Sequence, residues 1–159
     1  MRFSFILAGI LFFSSCGNAQ NQAKVSKEKY EIQKSEEEWR SELSEEEFEV
    51  LIKKGTERPF TGDLLENKET GVYTCAACNN PLFSSNTKFK SGSGWPSFYD
   101  IIDQGKVKLI KDTSFGMIRE EVVCGKCGGH LGHVFDDGPK PTGLRYCINS
   151  VALDFEPQK

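Results

Sequence analysis

Apolar and polar residues follow one another along this chain in four distinct ways. Residues 3–13 form an almost unbroken apolar run, FSFILAGILFF, and residues 17–34 are mostly Gln, Asn, Lys and Glu. Residues 35–55 have helical spacing: Ser35-Glu-Glu-Glu38 precedes Trp39, and Ser44-Glu-Glu-Glu47 precedes a face of Phe48, Leu51 and Ile52. A serine followed three residues later by glutamate marks a capped helix start, and acidic first turns suit the positive end of the helix dipole. Two short helices are therefore expected, the second stopped by Gly55. Beyond it come short β-like runs, Gly71 to Cys75, Lys106 to Ile110, Gly116 to Val123 and Arg145 to Phe155. Turn-forming clusters such as Asn79-Asn80-Pro81 and Asp136-Asp137-Gly138-Pro139 separate them. Strands do not alternate with helices, which argues against a parallel doubly wound sheet. The pattern predicts a mainly β fold, a small antiparallel β domain with short N-terminal helices.

The first two stretches lie outside that domain. Met1-Arg2 gives a basic start, the apolar run is too short to remain as a membrane span, and Ser14-Ser15 are small residues directly before Cys16. Residues 1–15 read as a secretory signal that resembles the bacterial lipoprotein type, with lipidation at Cys16; the plainer alternative is an ordinary cleaved signal. On the first reading the protein is exported and membrane-anchored, facing the periplasm or the extracellular side. Residues 16–34 then form a polar tether and residues 35–156 the folded domain. At 159 residues and 38% hydrophobic composition there is material for one real core. A formal net charge of −3 speaks against a nucleic-acid partner.

Six cysteines need an explanation beyond packing. Cys75-Ala-Ala-Cys78 and Cys124-Gly-Lys-Cys127 are each followed, after three intervening residues, by a leucine, Leu82 and Leu131. Two matched CxxC turns supply the four corners of a tetrahedral site, and Zn2+ suits four thiolates. In an exported chain the alternatives are disulfides or a redox CxxC, although the latter usually sits in a βαβ setting that is missing here.

Beyond these four and Cys16, one cysteine remains. On a strand, Arg145, Cys147 and Asn149 share a face. An arginine nearby favours the reactive thiolate and an asparagine can orient a polar substrate, but an unpaired cysteine is equally at home as a small buried hydrophobe. His130 and His133, the only two histidines, could be metal ligands, ordinary hydrogen-bonded side chains, or acid–base partners for a thiol. Trp95, after the loop Ser91-Gly92-Ser93-Gly94, is either a core anchor or an exposed platform for methyl and sulfur groups.

Taken together, GTERPFTG (residues 55–62), CAACNNPLF, KFKSGSGWPSF (residues 88–98), GGHLGHVFDDGPKPTGLRYCINS (residues 128–150) and the Leu153-Asp154-Phe155 tail resemble the methionine sulfoxide reductase B family. The resemblance implies a β-rich fold with zinc-ribbon-like knuckles, one structural Zn2+ on Cys75, Cys78, Cys124 and Cys127, and a catalytic cysteine far from it. It implies reduction of the R-epimer of methionine sulfoxide in oxidised protein or peptide methionine, one epimer per enzyme type. Cys147 then matches the nucleophile, and His130, His133 and Asn149 match residues that bind or protonate the sulfoxide oxygen. Trp95 matches the ring against the substrate methyl, and Arg145 a charged group near the thiolate. One departure matters. Many members carry a resolving cysteine where this chain has Ser93. A one-cysteine cycle is expected, in which a thioredoxin-like or small-thiol reductant regenerates Cys147 from its sulfenic acid. A monomer is the default state, and a non-catalytic zinc-containing β binding module is the competing reading.

Overall fold

A computed structural model describes residues 29–158; the apolar leader, Cys16 and most of the polar tether lie outside the described residues. Helices α1 (Glu36–Glu42) and α2 (Glu45–Leu51) begin at Ser35 and Ser44, and both capping boxes form as expected. Ser35 Oγ accepts from the Glu38 amide at 3.2 Å while the Glu38 carboxylate accepts from the Ser35 amide at 2.7 Å. Trp39 is buried on α1, and Phe48, Val50 and Leu51 on α2. The stop differs in detail. Lys54, not Gly55, takes the left-handed conformation (φ 61°), and the Gly55 amide donates back to the Glu49 carbonyl at 2.8 Å. A Cβ on Gly55 would lie 2.9 Å from that oxygen, so glycine there permits close approach rather than supplying the turn.

Nine strands are described: β1 (Gly71–Cys75), β2 (Pro81–Ser84), β3 (Lys88–Phe89), β4 (Ser97–Phe98), β5 (Val107–Asp112), β6 (Arg119–Cys124), β7 (His130–Phe135), β8 (Arg145–Ile148) and β9 (Leu153–Pro157). They form two sheets, a three-stranded β2-β1-β9 and a six-stranded β3-β4-β8-β7-β6-β5, with every pairing antiparallel. The mainly β expectation holds. Aromatic rings join the two sheets: Phe83 of the small sheet stacks on Phe98 of the large one at 4.5 Å, and Tyr73 meets Phe98 edge-on at 4.9 Å. Such pairs add about 1 kcal/mol each beyond their buried area.

Two departures from the sequence pattern shape the site. The run Arg145 to Phe155 is not one strand but two, β8 in the large sheet and β9 in the small one, separated by a 3-10 turn at Ser150–Ala152. Glu57 causes the break: its carboxylate accepts from the Ser150 amide at 2.6 Å and the Val151 amide at 3.0 Å, so those groups leave the ladder. Secondly, β7 carries a bulge. Its partner β6 pairs Val123 with His130 but Val122 with Gly132, leaving Leu131 as the extra residue. Strands β2, β3, β4 and β7 were not among the expected runs.

The domain makes contacts from its first described residues. The Ile32 amide donates to the Lys126 carbonyl at 3.1 Å, and the Tyr30 ring lies against Gly128.

Candidate active site

The two CxxC turns are built alike. In the first, the Asn79 amide bonds the Cys75 carbonyl at 2.8 Å and the Cys75 amide bonds the Asn80 carbonyl at 2.9 Å. In the second, Gly128 bonds Cys124 at 2.8 Å and Cys124 bonds Gly129 at 2.9 Å. The residue after each second cysteine is left-handed, Asn79 at φ 54° and Gly128 at φ 78°, and those are the types that tolerate it. The result places four sulfurs within 4.8 Å of one another. Cys75–Cys127 at 3.8 Å and Cys78–Cys124 at 3.5 Å are far beyond a disulfide bond of about 2.05 Å. They approach the ~3.8 Å edge of a tetrahedron with metal–sulfur bonds of about 2.3 Å. Asn80 Nδ2 and the Gly129 amide each point at a sulfur at 3.4 Å, as donors to metal-bound thiolates do. The donor set fits a metal ion such as zinc, and the disulfide alternative does not fit.

Cys147 stands apart from that cluster, on β8. It and Arg145 are half-buried, alternating with buried Tyr146 and Ile148, so the expected shared face is present for these two. β8 ends at Ile148, and Asn149 begins the turn beyond it. Ladder partners place His133 of β7 directly opposite Cys147 on one side and Ser97 of β4 on the other, a spacing of about 5 Å between Cβ atoms. Ser93 Oγ lies 3.6 Å from Cys147 Sγ. Burial pushes the Cys147 thiol above its ordinary pKa, and the Ser93 hydroxyl and the Arg145 charge only partly offset this. Arg145 is itself fixed by a two-point pair with Asp137, at 2.7 and 2.9 Å, and lies over the Phe135 ring.

Three residues apart on a regular strand, the two histidines would point to opposite faces. The β7 bulge instead brings their rings to 5.6 Å. Each is held by a carboxylate that the sequence reading did not single out. Glu121 Oε1 meets His130 Nδ1 at 2.8 Å, and Asp112 Oδ2 meets His133 Nε2 at 2.9 Å. Burial would raise the Glu121 carboxyl, but hydrogen bonds from His130 and Lys54 hold it below its usual range. Hydrogen bonds from Ser114, and then from His133, hold Asp112 well below the carboxylate range. Burial lowers the His133 pKa despite its bond to Asp112. The consequence for His130 is specific. A carboxylate at Nδ1 fixes the proton there and leaves Nε2 as the working nitrogen, and that atom is buried with no hydrogen-bond partner among the described residues.

Trp95 is half-buried, and its indole Nε1 donates to the Glu57 carbonyl at 3.2 Å. The Asn149 amide is tied on both sides, donating to the Leu131 carbonyl at 2.9 Å and accepting from the Glu57 amide at 3.1 Å. Glu57 thus connects Trp95, Asn149 and the start of the turn to β9. Only tertiary register reveals Glu57, Glu121 and Asp112; no spacing rule picks them out of a chain with 23 acidic residues.

Two antiparallel sheets clipped by four cysteines, with a further thiol set opposite a carboxylate-held imidazole pair, define a thiol-using β protein. A family model described as the SelR domain matches residues 43–157. The peptide methionine sulfoxide reductase MsrB of Methanosarcina barkeri is 63% identical over 128 residues, covering 80% of this chain and 90% of that protein. Its namesake from Leptospira interrogans is 59% identical over 127 residues, covering 80% and 97%. That of Pseudomonas putida is also 59% identical over 127 residues, covering 80% and 96%. This chain belongs to the methionine sulfoxide reductase B family.

Proposed function

We propose that this protein reduces the R-epimer of methionine sulfoxide in proteins and peptides, with Cys147 as the nucleophile. The observation that carries this reading is the juxtaposition of Cys147, outside the four-sulfur cluster, with His133 across the ladder and a His130 Nε2 that is buried and unpartnered. The Cys147 thiolate attacks the sulfoxide sulfur, which becomes electrophilic as its oxygen takes a proton. His133, once it has taken the thiol proton, is placed to hold and protonate that oxygen as charge develops, and His130 Nε2 joins it when that ring is protonated. Asn149 has one N–H and its amide oxygen taken up by the fold, so it contributes at most its other N–H and chiefly sets the turn after Cys147. Trp95 packs against the substrate methyl, and Arg145 favours the thiolate.

The sulfide is released with two electrons gained, and Cys147 is left as a sulfenic acid with two electrons lost. One external thiol condenses with it, releasing water and forming a mixed disulfide. A second thiol restores Cys147 and leaves as the oxidised donor. Ser93 stands beside Cys147 and cannot form an internal disulfide, which supports direct attack by a thioredoxin-like protein or small thiol. Zinc on Cys75, Cys78, Cys124 and Cys127 supplies a structural clip and no redox step. The leader and Cys16 support export and lipid anchoring to a membrane, with the domain acting as a monomer and without nucleic acid.

The test is turnover of an R-sulfoxide peptide with dithiothreitol by wild type and Cys147→Ser. Activity confined to wild type, and a one-oxygen mass gain on Cys147 when reductant is omitted, support the reading. Equal inactivity in both would favour the binding module. An intramolecular disulfide to Cys147 would overturn the one-cysteine cycle.

A further inference from the structure

Cys147 Sγ is one end of a line of hydroxyl groups. Ser93 Oγ lies 3.6 Å from it, Ser91 Oγ is 2.9 Å from Ser93 Oγ, and Ser97 Oγ is 2.7 Å from Ser91 Oγ. At the far end Ser97 Oγ also faces the Trp95 carbonyl at 3.2 Å, an atom that can only accept, so its single proton goes to that oxygen or to Ser91. Ser97 is fully buried and sits opposite Cys147 in the ladder, and the Ser93 amide also donates to Ser91 Oγ at 3.2 Å. With one proton on each hydroxyl, the chain can be polarised away from the sulfur or toward it.

In the first, Cys147 is a thiol. Its S–H points to Ser93, Ser93 donates to Ser91, Ser91 to Ser97, and Ser97 to the Trp95 carbonyl. In the second, Cys147 is a thiolate. Ser93 rotates to donate to the sulfur, Ser91 rotates to donate to Ser93, and Ser97 turns from the Trp95 carbonyl to donate to Ser91, so that the 2.7 Å contact keeps a proton. Ser91 is the pivot, since its single proton goes either to Ser97 or to Ser93. We propose that Ser93, Ser91 and Ser97 form a hydroxyl relay that positions hydrogen bonds on Cys147 according to its charge, with the Ser91 proton turned toward Ser97 or toward Ser93. Hydrogen bonds in a chain polarise one another, so a Ser93 that accepts from Ser91 is the better donor to sulfur. The other charged or titratable groups around the sulfur are Arg145 on its own strand, His133 across the ladder, and Asp137, which acts through Arg145. None of them touches the three serines in this chain of bonds, so the relay can be varied without altering them.

The inference rests on Cys147 as the attacking sulfur, but its test needs no sulfoxide, so its failure and that of the proposed reaction are separately visible. Zinc-loaded full-length protein is alkylated with iodoacetamide from acid to alkaline pH, and modification is read by mass on the Cys147 peptide. Ser93→Ala should slow alkylation at neutral pH about tenfold and leave the alkaline plateau unchanged, as expected for the loss of a hydrogen bond to a charged group. Ser91→Ala should slow it about threefold, and Ser93→Thr should restore the wild-type rate. A merely structural role would change the rate equally at every pH. The relay is overturned if Ser91→Ala, a partly exposed loop variant, matches wild type, or if Ser93→Ala slows alkylation equally at every pH.

Discussion

The sulfur and the imidazole that face each other across β7 and β8 have pKa values displaced away from one another. Burial raises Cys147 and lowers His133, so the resting pair is a thiol with a neutral ring. The reactive pair, thiolate with imidazolium, carries the same number of protons and differs only in where one sits. The ratio kcat/KM should therefore be flat across neutral pH. It should fall on the acid side as His133 gains a second proton at its lowered pKa, and on the alkaline side as Cys147 loses its proton at its raised one. Asp112 pulls the His133 pKa upward and stays ionised throughout. Asp112→Asn should then move the acid limb to lower pH and reduce the plateau about tenfold or more, because less imidazolium is available to donate. A pH profile of kcat/KM for both proteins measures this, and an acid limb that stays in place would remove His133 from the proton-donating role.

At the scale of elements, the decisive device is the Glu57 clasp that parts β8 from β9. Glu57→Ala leaves the Ser150 and Val151 amides without their acceptor and should cost about 2–4 kcal/mol, read as a lower urea midpoint. The backbone of Glu57 holds Asn149 and the Trp95 indole, and the carboxylate anchors that backbone to the turn, so its loss should shift both groups and raise KM for sulfoxide peptides. A second expectation concerns the knuckle. Gly128→Ala forces a left-handed Cβ to within 2.5 Å of the Tyr30 ring and should cost at least 1–2 kcal/mol, whereas Asn79→Gly at the matching turn should be nearly neutral. Elements with local causes were legible in the sequence: the two capping boxes and both CxxC turns lie within a few residues of the groups they satisfy. Elements with distant causes were not. The β8–β9 break depends on a carboxylate 93 residues away from Ser150, and the paired imidazoles depend on a bulge that only the β6 register defines. Cys147, His130 and His133 could thus be named from their motifs, while the carboxylates that hold the two rings could not.

For the whole molecule, the four cysteines matter because of which sheets they belong to. Cys75 ends β1 of the small sheet and Cys124 ends β6 of the large one, and each brings its turn partner, Cys78 or Cys127. A metal on all four would therefore be a cross-link between sheets that are also joined by aromatic contacts such as those around Phe98 and by the turn at Ser150–Ala152. In a zinc-finger peptide, which has almost no other core, metal binding of about 10–16 kcal/mol is essentially the whole folding energy. Here Phe48, Tyr73, Phe83, Phe98 and Ile148 are wholly buried, a core far larger than such a peptide has. The stripped protein should consequently remain folded at room temperature yet lose several kcal/mol, with a melting temperature lower by ~10 °C or more. Cys127→Ser should reproduce most of that loss. Well below the apoprotein's melting temperature, Cys147 should still alkylate at close to the holoprotein rate, since its neighbours Ser93, Ser97 and His133 come from the other strands of the large sheet and its loops. Thermal unfolding before and after chelation, with alkylation followed in parallel, separates the two effects. An unchanged melting temperature would mean that the cluster does not clip the sheets, and immediate loss of Cys147 reactivity would mean that the metal also shapes the thiol site.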